Sequence, residues 1–336
     1  MRRVSIGNSA IVGIIVTVSV WSVPIVSSAE LADAVEPVTR QRVELSFKSW
    51  MFTNGETKWS HDASGLDSRL GNPTSKLTYK DNNTQIIELG AKINLSRWWF
   101  MRGELGFSVD FDRGRMVDDD YLSSGGQHLY SRTHSDTTGN GTWYLNLDGG
   151  RRVVEYSDER GYLDVFGGFQ YWQTKYEARG VVQDVCNPSG VFTCSAPGMV
   201  SRPGQLAIVN TTHWITPVRV GAQSEYRLTR RFSLEGRVAV SPISIVYNED
   251  RHVLRTDLQQ PSFTMWGVGA SANADAGVKF MLTRNIALTG GYRVWWNRTY
   301  SGTWENHPIG SSSETAPLRE LQTIRHGATF GLTASF

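Results

Sequence analysis

Long apolar runs are what this chain of 336 residues lacks: past its first thirty residues no stretch of eighteen or more could cross a bilayer as a helix. That excludes a helical membrane protein. Net charge is missing too. Discounting Arg2 and Arg3 of the N-terminal segment leaves 32 basic residues against 32 acidic ones, and no overall field argues for nucleic acid as a partner. There is no Gly-rich phosphate loop, Ser-centred elbow or Cys-based nucleophile. A second domain, an internal repeat and a low-complexity linker are equally absent. Cysteine is scarce, with only Cys186 and Cys194, in VCNPSGVFTC. In an exported chain this close pair around Asn-Pro-Ser-Gly reads as a disulfide closing a hairpin tip. A two-Cys metal site fits less well, because no His lies within several residues.

What is present begins with an export signal. Arg2 and Arg3 lead an apolar run from about Ala10 to Val20, and Ser27, Ser28 and Ala29 offer a cleavage site. Residues 1–29 are expected to leave, with 30–336 forming one barrel domain. The remainder holds 33 Gly, 12 Trp, 12 Tyr and 13 Phe at a mean hydropathy of −0.32. A β-barrel in a bilayer has this composition, since only alternate strand residues meet lipid and aromatic residues collect at the interfaces. A soluble secreted β-sandwich also alternates and is the competing reading.

Alternation is explicit at the C-terminus, where His326, Ala328, Phe330, Leu332, Ala334 and Phe336 interleave with Arg325, Gly327, Thr329, Gly331, Thr333 and Ser335. Ending on an aromatic at the apolar parity resembles the C-terminal sorting strand of outer-membrane barrels. Met101, Leu105, Phe107 and Val109 likewise oppose Arg102, Glu104, Ser108 and Asp110, the first set suited to lipid and the second to a polar lumen. Ten such segments occur, near 40–52, 76–95, 98–113, 141–155, 161–178, 210–228, 231–247, 262–282, 286–299 and 320–336. The even count suits a closed antiparallel barrel. Connections near Ser96, 157–160, 229–230 and 283–285 are short, as periplasmic turns are. The others, 53–75, 114–140, 179–209, 248–261 and 300–319, are expected to be long extracellular loops. The fold class expected is therefore all-β, a ten-stranded antiparallel transmembrane β-barrel.

Two motifs fall where strands 3 and 7 leave the membrane on the loop side, Arg115-Met-Val-Asp-Asp-Asp-Tyr121 and Tyr247-Asn-Glu-Asp-Arg-His252. In a ring of ten strands these rims lie across the mouth from each other. Parity puts Asp118 and Asp120 on one side with Asp119 on the other, and Asp250 with His252. A carboxylate beside an imidazole fixes its tautomer and raises its basicity, so that it can take a proton from water. Two adjacent carboxylates cannot both ionise easily, and one can keep a proton to serve as acid. The implied chemistry is attack of an activated water on a carbonyl. Taken singly, three Asp in a loop also fit a solvated tip or a weak Ca²⁺ site.

GRMVDDDY, THSDT at 133–137, NEDRH, SKLTYKDNNTQIIELGAKI at 75–93 and GFQYWQTKYEARG at 168–180 together resemble the omptin family, ten-stranded outer-membrane proteases. The resemblance implies an endopeptidase in the outer membrane of a Gram-negative bacterium, its site facing outward, acting on peptides or proteins outside the cell. Asp118, Asp120, Asp250 and His252 match the catalytic positions, with no metal or acyl-enzyme. In the family's specificity pocket, Asn248 stands where an acid is expected. The second acid falls near Trp59, with Glu56 the closest carboxylate; Glu249 or Asp119 could substitute, but their strand parity points them away, and the family's hold on a basic residue is weakened. The family also depends on lipopolysaccharide, and at the matching positions Phe169, Tyr171 and Gln173 the acidic and basic members are missing, which leaves an aromatic girdle in outer-membrane lipid. His61, His128, His134 and His307 read as solvated loop residues, and Trp295 with Trp296 as interfacial anchors. His213 could line the cleft. Two non-enzymatic alternatives stay open: an adhesin, binding or structural barrel of the same fold, and a narrow pore whose inward charges Arg102, Glu104, Glu235 and Arg237 pair and fill it.

Overall fold

The computed structural model describes residues 42–111, 114–123, 128–156 and 160–336; the expected export signal lies outside them. Among these residues the strands are β1 Val43–His61, β2 Leu70–Asn94, β3 Trp99–Phe111, β4 Gly114–Leu122, β5 His128–Glu155, β6 Gly161–Cys186 and the two-residue β7 Gly198–Met199. They continue as β8 Leu206–Arg227, β9 Phe232–His252, β10 Leu258–Met281, β11 Ile286–Pro308 and β12 Glu314–Ser335. β3 and β4 both lie between β2 and β5 and make one stave interrupted at 112–113, while β7 only flanks β6. Ten staves thus pair antiparallel with their sequence neighbours. The ring closes between β1 and β12, where the Val43 amide donates to Phe336 O (3.1 Å) and the Phe336 amide to Val43 O (2.9 Å).

Three of the tight turns carry the same local device. In Ser96-Arg-Trp-Trp99, Thr229-Arg-Arg-Phe232 and Thr283-Arg-Asn-Ile286 the first hydroxyl accepts from the amides two and three residues on, at 3.1–3.2 Å. The opposite end is built differently from the expectation. Many of the residues assigned to long loops are strand, 114–122 as β4 and 128–140 as the first half of β5 among them, and short tips such as 62–69 and 253–257 connect. The longest connection, after β6, holds the Cys186–Cys194 disulfide around a Ser189–Phe192 bridge, which is the hairpin tip expected.

Around the short-turn half the outward residues are apolar, among them Met101, Phe107, Leu234, Val240, Phe330 and Phe336. Inward charges pair across the lumen. Arg237 holds Glu104 (2.8 Å) and Asp148, Arg219 holds Asp148 (2.9 Å), Arg293 holds Glu88 (2.5 Å) and Asp275, and Lys279 holds Glu225 (3.3 Å). The lumen is plugged, as suits a ring of this size. Trp143, Tyr171, His213, Tyr247 and Trp266 then follow one another across β5, β6, β8, β9 and β10 with ring centroids 4.5–6.1 Å apart, an aromatic belt at the lipid edge. On β9 it lies fifteen residues from the lower aromatic Phe232, about 35 Å vertically for a strand tilted ~45°. β5 runs fifteen residues past Trp143, and the barrel projects well beyond the bilayer.

Past the belt the polarity of the two faces inverts. Outward residues are charged and paired, as in Arg132–Asp119, His134–Asp184 and Lys175–Glu177–Arg179. Inward residues are aromatic and aliphatic, forming the main core with Trp59, Leu77, Tyr79, Met116, Tyr176, Trp304 and Leu321. Water outside and side chains inside make this half a β-barrel of soluble type.

Candidate active site

The projecting half carries the site on two staves. On β4, Met116, Asp118 and Asp120 share the inward parity, and Met116 is fully buried. Asp118 sits in register with Leu77 of β2 and Thr133 of β5, and Asp120 with Ser75 and Ser131. Ser75 Oγ donates to Asp118 Oδ1 at 3.3 Å. Asp119 points outward and is clamped by Arg132, Nε to Oδ1 at 2.5 Å and Nη2 to Oδ2 at 3.0 Å, so parity separates the three acids as expected.

On β9 the inward set is Asn248, Asp250 and His252. Asp250 is completely buried, and one carboxylate oxygen, Oδ2, lies 3.4 Å from His252 Nε2 while Oδ1 has no protein partner. The His252 amide donates to Ser262 Oγ (3.0 Å) and its ring meets Phe263 edge-on at 5.0 Å, which fixes the imidazole in place. The two rims feel each other. Burial pushes the Asp118 carboxyl well up, and Asp120 and then Asp250 push it further. Burial raises Asp120 to about 6, against the opposing pull of Ser75, His252 and Arg255. Tyr79, buried on β2 in register with Met116, has its phenol raised by burial and then by Asp250 and Asp118. A pair of carboxyls whose ionisation burial and crowding oppose, facing an Asp-His dyad, can activate a water on one side and supply an acid on the other.

The expected substrate-binding residues divide. Asn248 and Trp59 face inward and are buried. Asn248 bonds Asn210 (2.9 and 3.2 Å) and Thr212 (2.7 Å) on β8. Glu249 faces outward, held by Tyr247 Oη (3.0 Å) and Arg251 (2.8 Å), and Glu56 pairs in register with outward-facing Ile324. Strand parity excludes both from the cleft.

Several histidines and tryptophans are not where the sequence suggests. His61 is buried on β1, stacked on Trp304 at 3.9 Å with rings 4° apart, and burial lowers it to about 4. His134 bonds Asp184 (2.8 Å) on the outer wall, and His307 sits between Thr264 (2.9 Å) and Ser313 (3.1 Å). His213 joins the belt, bonded to Tyr171 Oη at 2.6 Å, and does not line the cleft. Trp295 turns inward against Trp50, Tyr144 and Trp172 and is no interfacial anchor. Phe263 and Trp304, beside the dyad, escaped the sequence reading; their parity with Met265 and Asn306 was the available signal. Tyr171 and Gln173 do lie in the belt, while Lys175, Glu177 and Arg179 supply charge just beyond it.

The comparisons with known proteins agree with this architecture. Crystallised outer membrane protease OmpT from Escherichia coli shares 16% identity, with a TM-score of 0.73 over 90% of this chain and 99% of that one. The translocator domain of the autotransporter NalP from Neisseria meningitidis is similar at 8% identity over 89% and 90%, but its TM-score of 0.35 carries no argument. No protein of curated function matches the sequence. The model of the Omptin family matches residues 43–307, most of the chain, and the protein belongs to that family.

Proposed function

We propose that this protein is an outer-membrane endopeptidase whose projecting end faces the outside of a Gram-negative cell and cleaves peptides with a water activated by Asp250 and His252 opposite Asp118 and Asp120. Omptin membership and the OmpT-like barrel support the coarser class, a protease of the outer membrane. The finer assignment rests on one observation: the only inward carboxylate pair on β4 and the Asp-His pair on β9 meet electrostatically in the same end of the lumen, among the described residues.

The chemistry follows from that placement. His252 takes a proton from the water as it attacks the scissile carbonyl. Asp250 stabilises the imidazolium formed and keeps the ring oriented. The proton that burial and crowding retain on the Asp118/Asp120 pair is available to the oxyanion or the leaving amine. Peptide is expected as substrate, lipid contacts are confined to the belt and the apolar band below it, and lipopolysaccharide is an additive to be tested. Refolded wild-type protein should cut a mixed peptide library with and without lipopolysaccharide. An Asp118→Ala/His252→Ala variant of equal fold should give no products. Products of equal amount from the variant would exclude this site, and equal blanks would favour a binding or structural barrel.

A further inference from the structure

Beside the dyad the wall is aromatic. From His252 the rings run Phe263 (5.0 Å), Trp304 (5.1 Å), His61 (3.9 Å) and Trp59 (5.9 Å), crossing β9, β10, β11 and β1. Asn248, Met265 and Trp304 lie level in the strand register, one row below Phe263. Every member of this wall is neutral, His61 included, since its burial between two indoles opposes protonation. We propose that this wall makes the cleft select an aromatic or large apolar side chain flanking the scissile bond, and reject Lys and Arg.

The proposal rests on the protease reading and deepens it. A cation placed against these rings would lose its hydration with no anion to meet it but Asp250, which already faces His252 at 3.4 Å, a cost that a neutral ring does not bear. The acids flanking the cleft are committed elsewhere. Asp62 takes Ser64 and Arg319, Asp119 takes Arg132, Glu249 takes Arg251, and Asp257 takes Arg255. Asn248 turns both amide functions to Asn210 and Thr212, and its carbonyl oxygen is occupied. The indole nitrogens of Trp59 and Trp304 are buried without partners, donors that a peptide carbonyl or an uncharged polar tip could meet and a cation could not.

The test uses internally quenched peptides that are identical except for Phe, Leu, Lys or Arg flanking the central bond, with the refolded mature chain. The expected kcat/KM for Phe or Leu exceeds that for Arg or Lys by about tenfold or more. Equal or faster cleavage of the Arg peptide overturns the proposal. Asn248→Asp, a near-isosteric change that puts an anion on this wall, should move the Arg:Phe ratio upward by about tenfold. An unmoved ratio in a folded variant also counts against the wall as the selector. Binding of the uncleaved peptides to His252→Ala separates this idea from its parent. Tighter binding of the Phe peptide supports the wall even if no wild-type hydrolysis is found, a result that would remove the protease reading alone, whereas tighter binding of the Arg peptide refutes the wall.

Discussion

Asp120→Asn should stabilise the barrel at pH 8 while abolishing peptide cleavage, because the site holds a carboxyl where burial opposes its charge. The folded-state value is raised from 3.8 to about 6. A carboxyl so raised favours the folded state fully below pH 3.8, where both states carry the proton, and that contribution is lost as pH rises through about 6. At pH 8 the loss is about two pH units of proton binding, ~3 kcal/mol relative to a neutral group. Asp118 is shifted in the same direction and adds to it. For a domain of this size ~3 kcal/mol corresponds to about 5 °C in Tm. The assay is urea unfolding in detergent, followed by tryptophan fluorescence, for wild type and Asp120→Asn at pH 8 and pH 3.5. The variant's midpoint should be higher at pH 8, and the two should converge at pH 3.5, where the wild-type carboxyl is already neutral. Equal midpoints at pH 8, or a difference unchanged at pH 3.5, would refute the electrostatic account of this pair.

Other consequences are simpler to state. Asp119→Ala breaks the outward pair with Arg132 and a long contact from Tyr121 Oη, and should cost about 1 kcal/mol with cleavage retained; loss of cleavage would mean that parity does not separate the three acids. Arg237→Ala takes the closest cation from Glu104 and leaves Asp148 with Arg219 alone, and should lower stability by about 3 kcal/mol, read as a lower urea midpoint. Planar-bilayer recordings of wild type should show no conductance steps, since those pairs fill the lumen; steady steps would revive the pore.

The membrane half was legible because lipid and lumen make opposite demands on alternate residues. Met101, Phe107 and Leu234 could only face out, and Glu104 and Arg237 only in. The hydroxyl-capped turns after Ser96, Thr229 and Thr283 were equally local. The inward placement of Asp118, Asp120, Asp250 and His252, the residues proposed for catalysis, was legible through parity and motif together, neither of which depends on where the membrane stops. The projecting half was misjudged because its alternation reverses sign. There an inward Trp59 or His61 alternates with an outward Lys58 or Ser60 neighbour, and polar outward positions read as loop. Trp295 failed for a related reason: an indole near a strand end suits a lipid interface by composition, but its parity with Arg293 and Asn297 turns it inward.

That reversal is itself informative about the site. Along β6 the outward side changes from Val165 and Phe169 to Lys175, Glu177 and Arg179, and the inward side from Asp164 to Tyr176 and Ala178. Water bathes the outer wall above this switch, so the wall no longer needs to be apolar, and apolar side chains move to the lumen, where they exclude water. Dry walls around the carboxyl pair raise the cost of charging it. A hydrolytic site placed below the switch would sit among Arg219, Arg237 and Arg293, whose charges would keep both carboxyls ionised. The position of Asp118 and Asp120 above the belt is therefore what lets burial raise both carboxyls toward neutral pH.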